Sequence, residues 1–352
     1  MNRAQDALPS SADAPYATLT PAAVLDALDS VGLRGDGRLL QLNSYENRVF
    51  QVFLEDGSVV VTKFYRPARW SDAQILEEHR FAAELAAAEV PVIAPLVLSA
   101  DPSSPLRPVL AGDPATLATV VLDGATYRFA VAPRRSGRAP SLETTAPLEW
   151  IGRFIGRMHA IGAREPFRFR HTLTIDEFGR APRDWLREHD IVPPEALPAW
   201  LQSVDRVLDL VQAAFDRVGP VPHIRLHGDC HIGNLLWTDA GPHFVDLDDA
   251  INGPAVQDLW MLLSGEEATA RWQLRALLSG YEQFMAFDDR ELALLEPLRG
   301  LRLIHHSAWI ARRWNDPAFP VAFPWFGGAA YWQQQTQLLR EHEAALLRSA
   351  SL

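Results

Sequence analysis

His227-Gly-Asp-Cys-His-Ile-Gly-Asn234 sets a carboxylate, Asp229, and an amide, Asn234, five residues apart in a stretch punctuated by two glycines, and another carboxylate, Asp246, follows twelve residues on. The chain between them reads as a short hairpin. Leu235-Leu236-Trp237 and Phe244 to Leu247 have strand character, and Thr238-Asp239-Ala240-Gly241 supplies the turn. Phosphoryl transfer from a nucleotide asks for such a set, because Mg2+ prefers hard oxygen ligands such as a carboxylate and an amide oxygen. A separate carboxylate must then orient the proton of the attacking hydroxyl. On that reading Asp229 is the base, while Asn234 and Asp246 hold the metal, which makes Asp246 part of the catalytic set. The Asp-to-Asn spacing is common by itself; the hairpin, the second Asp and an upstream lysine make it specific.

Upstream the pattern is that of a β-rich lobe. Residues 1–16, rich in Ala, Ser, Asp and Pro, have no periodicity and read as a disordered tail. Thr20 is a helix cap with Pro21 at the first helical position. Strands are expected around Leu40 and Leu42, over Val49 to Leu54 and over Val59 to Tyr65, with Glu55-Asp56-Gly57 as a tight turn, so that Lys63 lies near the end of the third strand. Ser71 with Gln74 is a capping-box start for a helix to about Ala88. Two more strands follow at Ala118 to Leu122 and Tyr127 to Ala132, and the loop from Pro133 to Ser141 marks a boundary. Beyond it, helical spacing dominates at 148–161, 200–218, 256–263, 271–284, 290–313 and 329–347. The class is α+β, with a β-rich N-terminal lobe over 17–133 and a mainly helical C-terminal lobe over 134–352.

Composition narrows the function. Acidic residues outnumber basic ones by 44 to 33 in the 352-residue chain, a net charge of -11, so its field repels nucleic-acid phosphates and acidic membranes. No nucleic-acid or membrane partner is expected. One cysteine, Cys230, cannot form an internal disulfide, and the first residues lack the apolar run of a signal peptide, which points to the cytoplasm. The most apolar stretch, Leu85 to Ala100, is interrupted by Glu89 and two prolines. Of the basic residues 32 are arginine and only Lys63 is lysine. A strand-end lysine is ordinarily a surface residue; beside the Asp-Asn-Asp set it becomes a phosphate ligand, since an ammonium is a compact point charge where a guanidinium is a planar fork.

These segments resemble the kinase superfamily that includes aminoglycoside and choline phosphotransferases, whose signature is His-Gly-Asp-x-x-x-x-Asn followed by a metal-binding Asp. Within it, Leu42 to Val49, Lys63-Phe-Tyr-Arg-Pro67, Leu226 to Trp237, Phe244 to Asp249, Asn252 to Trp260 and Ala311 to Phe319 are similar to a family of bacterial stress-response Ser/Thr protein kinases. The resemblance implies a two-lobe protein-kinase-like fold, ATP as co-substrate and Mg2+ as cofactor. It implies Asp229 as the catalytic Asp, Asn234 and Asp246 as metal ligands, Ser44 as an ATP contact and Asp258 as a buried strut for the catalytic loop. A protein substrate is the first expectation, a small-molecule acceptor the alternative, and an inactive scaffold a third. No Gly-x-Gly-x-x-Gly is present, so the polar turn Asn43-Ser-Tyr-Glu-Asn47 must meet the phosphates. Adenine is expected near Ala130 to Arg135. Lys63 needs a carboxylate to hold it, and the stripe Ile75, Glu78, Ala82, Leu85 favours Glu78 over Glu77.

Plainer readings stand beside several of these. Ser44 can serve only its own turn, and Asp258 can be a helix-dipole partner. Asp248 and Asp249 can be solvated or bind metal or substrate. His227, Cys230 and His231 contain zinc-ligand types, but the flanking glycines oppose the helix that would align them. Modification of Cys230, next to the base, would be expected to block activity. Arg312 and Arg313, in a helix with His305, His306 and Trp309, are candidates for the acceptor side.

Overall fold

The computed structural model describes residues 15–349, which divide into two compact units. The first contains the described residues up to Ala139 together with Leu235–Asp248; the second contains Pro140–Asn234 and the described residues from Asp249 onward.

In the first unit, α1 (Pro21–Asp29) starts as its sequence requires, with the Thr20 hydroxyl accepting from the Ala23 amide and proline in the first turn. Six strands follow: β1 (Gly35–Leu42), β2 (Arg48–Leu54), β3 (Val59–Phe64), β4 (Val109–Gly112), β5 (Ala115–Leu122) and β6 (Ala125–Pro133). They form one sheet in the order β1-β2-β3-β6-β5-β4, antiparallel throughout. Alternation along β3 buries Val60, Thr62 and Phe64 and turns Lys63 to the other face. Phe64 anchors the core, its ring 5.3 Å from Phe129 and 6.2 Å from Phe50. Between β3 and β4 runs α2 (Asp72–Ala87), started by the Ser71–Gln74 capping box.

Two findings differ from expectation here. Tyr16, assigned to the tail, is buried, donates to the Glu46 and Phe64 carbonyl oxygens at 3.2 Å and stacks on Tyr127. A lone aromatic has no periodicity to announce it, and its ring carries enough apolar area to anchor the chain there. Residues 1–14 of the expected tail lie outside the described residues. The hairpin β8 (Leu235–Thr238) and β9 (Gly241–Phe244), expected in the helical lobe, groups with the first unit. Four-residue strands cannot form a core alone, and these find backbone partners there. Trp237 exchanges hydrogen bonds with Arg138, and the Phe244 amide donates to the Pro91 carbonyl at 2.7 Å.

In the second unit, α3 (Thr145–Gly162) lies against α7 (Glu267–Tyr281) at a distance only glycine permits. A Cβ on Gly152 would fall 2.0 Å from the Leu277 carbonyl oxygen, and one on Gly280 2.0 Å from that of Glu149. Another core surrounds α5 (Leu197–Val218), α8 (Leu295–Arg312) and α10 (Ala329–Ser349), where Trp200 meets Trp332 edge-on at 5.5 Å. Packed with it is α4 (Ala181–Glu188), entered through a π-helical turn at Asp176–Arg180. The helix expected over 290–313 begins instead as a 3-10 turn, Asp289–Leu294, and becomes α-helical at Leu295. Pro297 accounts for the late start, since proline fits a helix only in its first turn. The expected helix over 256–263 contracts to α6 (Gln257–Trp260), and α9 (Ala318–Ala322) is a short addition. Two strands too short to show in the sequence, β7 (Ile224–Leu226) and β10 (Ile251–Gly253), pair antiparallel and bracket the signature loop.

Candidate active site

Lys63, Asp246 and Asp248 form the charged centre of the first unit. Lys63 Nζ donates to Asp246 Oδ1 at 2.9 Å and lies 3.8 Å from Asp248 Oδ1. Burial works against the ammonium, but the two carboxylates outweigh it and hold its pKa well above the usual lysine range. Asp246 reaches this position from a left-handed backbone, φ 62°, which bends the chain sharply after β9. Such a conformation costs about 1 kcal/mol for a residue other than glycine and is least unfavourable for Asp and Asn.

Asp248 is buried and works as a clamp. The Asn47 side-chain amide donates to it at 3.0 Å and Arg69 forms a short ion pair with it. Asn47 in turn accepts from the Arg66 amide at 3.1 Å, while Arg66 Nε donates to the Glu46 carbonyl at 2.9 Å. The polar turn 43–47 is thereby fastened to the end of β3, and Asp248 is buried rather than solvated. Within the turn, Ser44 Oγ accepts from the Asn47 amide at 3.4 Å, a long contact of the local kind. Glu78 is buried on α2, with Oε2 3.7 Å from His79 Nε2. It acts on Lys63 as a weaker electrostatic contributor behind Asp246 and Asp248. The expected Lys63–Glu78 pairing thus yields first place to the two aspartates.

In the second unit the loop after β7 is held from beneath. Asp258, fully buried at the start of α6, accepts from the His227 amide at 2.7 Å and the Gly228 amide at 2.8 Å, and pairs with His159 Nε2 at 3.0 Å. Gln257 adds a donor to the Gly228 carbonyl at 3.0 Å. Gly228 has φ 84°, and a Cβ there would fall 2.1 Å from the Asp249 carbonyl oxygen. Turn and close approach both demand glycine. Asp258 is therefore the strut, and the helix-dipole account does not describe its contacts.

The strut presents Asp229 and Asn234. Asn234 Nδ2 donates to the Asp229 carbonyl at 2.9 Å, which leaves Oδ1 as the acceptor atom of that side chain. Arg302 Nη1 donates to Asp229 Oδ1 at 3.0 Å, and His231 Nε2 lies 3.3 Å from Oδ2. Burial raises the Asp229 pKa, but His231 and Arg302 more than offset it and hold the carboxyl below the usual carboxylate range. Asp229 is a ready hydrogen-bond acceptor at neutral pH. His231 also accepts from the Gly233 amide at 2.9 Å, so both ring nitrogens have local partners. Cys230 is buried, and burial with Asp258 and Asp229 nearby pushes its thiol pKa well up, so the group is a poor target for the modification expected to block activity.

A cleft of about 520 Å³ opens beside Asp229, with His231, Trp260, Arg299, Arg302, His306 and His342 among its lining residues. The basic residues of α8 that reach it are Arg299 and Arg302, rather than the expected Arg312 and Arg313. Arg312 lies over the Trp185 ring at 5.1 Å, and Arg313 donates to the Trp309 carbonyl at 3.0 Å. Arg299, Arg302 and His306 stand at helical spacing, a stripe visible in the sequence but hidden among so many arginines.

The six-stranded unit bearing Lys63 and the helical unit bearing the signature loop define a two-lobed, kinase-like α+β protein. Residues 38–295 match the phosphotransferase enzyme family, and the chain belongs to that family. Over 331 residues it is 43% identical to stress response kinase A of Salmonella choleraesuis (strain SC-B67), covering 94% of each protein. The same identity and coverage hold for serine/threonine protein kinase RdoA of Salmonella typhimurium (strain LT2). Among solved structures, amicoumacin kinase hAmiN in complex with AMP-PNP, Ca2+ and Ami superposes with a TM-score of 0.68 at 19% identity, covering 92% of this chain and 93% of that one. No helix among the described residues is long and apolar enough to cross a membrane.

Proposed function

We propose that this phosphotransferase is an ATP- and Mg2+-dependent Ser/Thr protein kinase of the bacterial stress response. Asp229 accepts the hydrogen bond of the acceptor hydroxyl and takes up its proton as the oxygen attacks the γ-phosphorus. Asn234 and Asp246 are the protein ligands of Mg2+. Lys63 neutralises the ATP phosphates, with Asp246, Asp248 and more distantly Glu78 fixing its ammonium, and Ser44 with the amides of its turn meets the phosphates. Adenine lies against Ala130 to Arg135.

The observation that carries this reading is the state of Asp229, a carboxylate kept ionised and tied to Asn234 on a loop whose backbone a buried aspartate holds. The donor set suits the metal. Asp246 offers a carboxylate and Asn234 an amide oxygen, both hard donors. That is the sparse protein contribution Mg2+ takes when nucleotide phosphates and water complete its shell. Bound there, the ion would offset negative charge on the transferring phosphoryl group.

A second reading, a small-molecule kinase, draws on the cleft beside Asp229 and on the fold shared with amicoumacin kinase. Incubation with γ-labelled ATP and Mg2+ separates the two. Label on a generic Ser/Thr protein substrate, lost in Asp229→Asn, is the expected result; label only on small hydroxyl compounds overturns the protein-kinase reading.

A further inference from the structure

Resting on that reading, we propose that the cleft beside Asp229 recognises an acidic Ser/Thr segment, whose carboxylate takes Arg302 away from Asp229 and so frees the base. The chain has a net charge of -11, yet the residues lining this cleft include two arginines and no carboxylate. Burial, with Arg302 close by, holds His306 below the usual imidazole range, and burial does the same for His342. His306 and His342 are thereby held towards the neutral imidazole, and the fixed positive charges of the lining are its two arginines. Arg299 is already satisfied, donating to Glu296 at 2.7 Å and lying 5.7 Å from the centre of the Trp260 ring. Arg302 is the residue whose partner must change.

Both Asp229 oxygens are engaged in this structure, Oδ1 by Arg302 and Oδ2 by His231. An acceptor hydroxyl arriving at Oδ1 must share that oxygen with the guanidinium, which draws on its electron density and weakens it as a base. The Arg302 side chain is 46% exposed and belongs to a regular helix, so it can swing without unfolding anything. An incoming carboxylate offers it a bidentate partner at no net loss of an ion pair. A neutral segment would leave the guanidinium to solvent, and a cationic one would place like charges together. Substrate charge is thereby coupled to exposure of the base: Arg302 binds substrate and positions Asp229.

The test uses the full chain, γ-labelled ATP with Mg2+, and three serine peptides that differ only in having Glu, Gln or Lys on either side of the serine. Wild type is expected to favour the Glu peptide over the Gln peptide by about tenfold in kcat/KM, and the Lys peptide to be poorest. Arg302→Gln should abolish that preference, bringing the ratio of kcat/KM for the Glu peptide to that for the Gln peptide down to about one. Arg302→Glu should move the preference to the Lys peptide, a gain that mere damage to the fold cannot produce. Equal use of all three peptides by wild type, or a preference that survives Arg302→Gln, overturns this inference and leaves the protein-kinase reading intact. Labelling of a free hydroxy acid with no peptide labelled overturns the protein-kinase reading and the peptide acceptor with it.

Discussion

The two charged regions are built on different principles. Around Lys63, position is set by side chains: Asp246 and Asp248 hold the ammonium, and Asn47 and Arg69 hold Asp248. Around Asp229, position is set by the backbone, because the amides of His227 and Gly228 are fixed from below by the buried Asp258. The partly open Lys63–Asp246 ion pair adds little to stability, whereas a buried carboxylate serving two amides and a histidine cannot be removed without leaving all three unsatisfied. Activity and stability should therefore separate at Lys63 and fall together at Asp258.

The sharpest challenge to that contrast is Asp258→Ala. It should cost about 3–5 kcal/mol of unfolding free energy and take phosphoryl transfer with it. Asp258→Asn should recover part of the loss, since an amide has one oxygen to accept with where the carboxylate uses both. Denaturant unfolding and activity on the same preparations measure this, and a stable, active Asp258→Ala would break the comparison. Lys63→Arg is the counterpart in the first region. The charge is kept, so the melting temperature should hardly move, while the wider guanidinium lowers kcat/KM by about a hundredfold or more. Near-normal turnover would return Lys63 to an ordinary strand-end role.

Glu291 sharpens the account of the second region. Its carboxyl accepts from the Val256 amide at 2.9 Å, just ahead of the strut helix, and burial pushes its pKa up to about 7. A carboxyl that keeps its proton longer in the folded than in the unfolded state favours folding below about pH 4.5, and that advantage is lost as pH rises through about 7. Glu291→Gln should accordingly stabilise the protein at pH 8 by on the order of 1–3 kcal/mol, with the gain vanishing towards pH 4.5. A pH series of thermal melts shows it, and a gain independent of pH would refute the titration account. The smallest effect belongs to Ser44→Ala. Loss of one long hydrogen bond and one phosphate contact should raise KM for ATP about threefold, and an unchanged KM would leave Ser44 with only its turn.

Much of the first region was legible in the sequence because it depends on local rules. The β-branched run and its bounding turn placed Lys63 near the end of the third strand, and the cap and turn residues placed α1, α2 and the hairpin turn. The signature loop was legible as a motif. What stayed hidden was long-range or statistical. Asp258 carries two candidate roles in sequence, and only the backbone amides it meets from 30 or more residues away choose between them. Arg302 is one of 32 arginines, so a basic stripe on α8 conveys little. Asp248 looks like any carboxylate trailing a strand until Arg69 and Asn47 close on it. The hairpin joins the first unit through backbone hydrogen bonds to 91 and 138, which side-chain patterns do not record.

The most direct measurement is a single-turnover assay of phosphoryl transfer by Asp229→Asn at saturating ATP and Mg2+, alongside ATP binding and thermal stability. The account predicts that the chemical step slows by on the order of 10²–10⁴-fold while ATP affinity and melting temperature stay close to wild type. A chemical step that proceeds at the wild-type rate would contradict it.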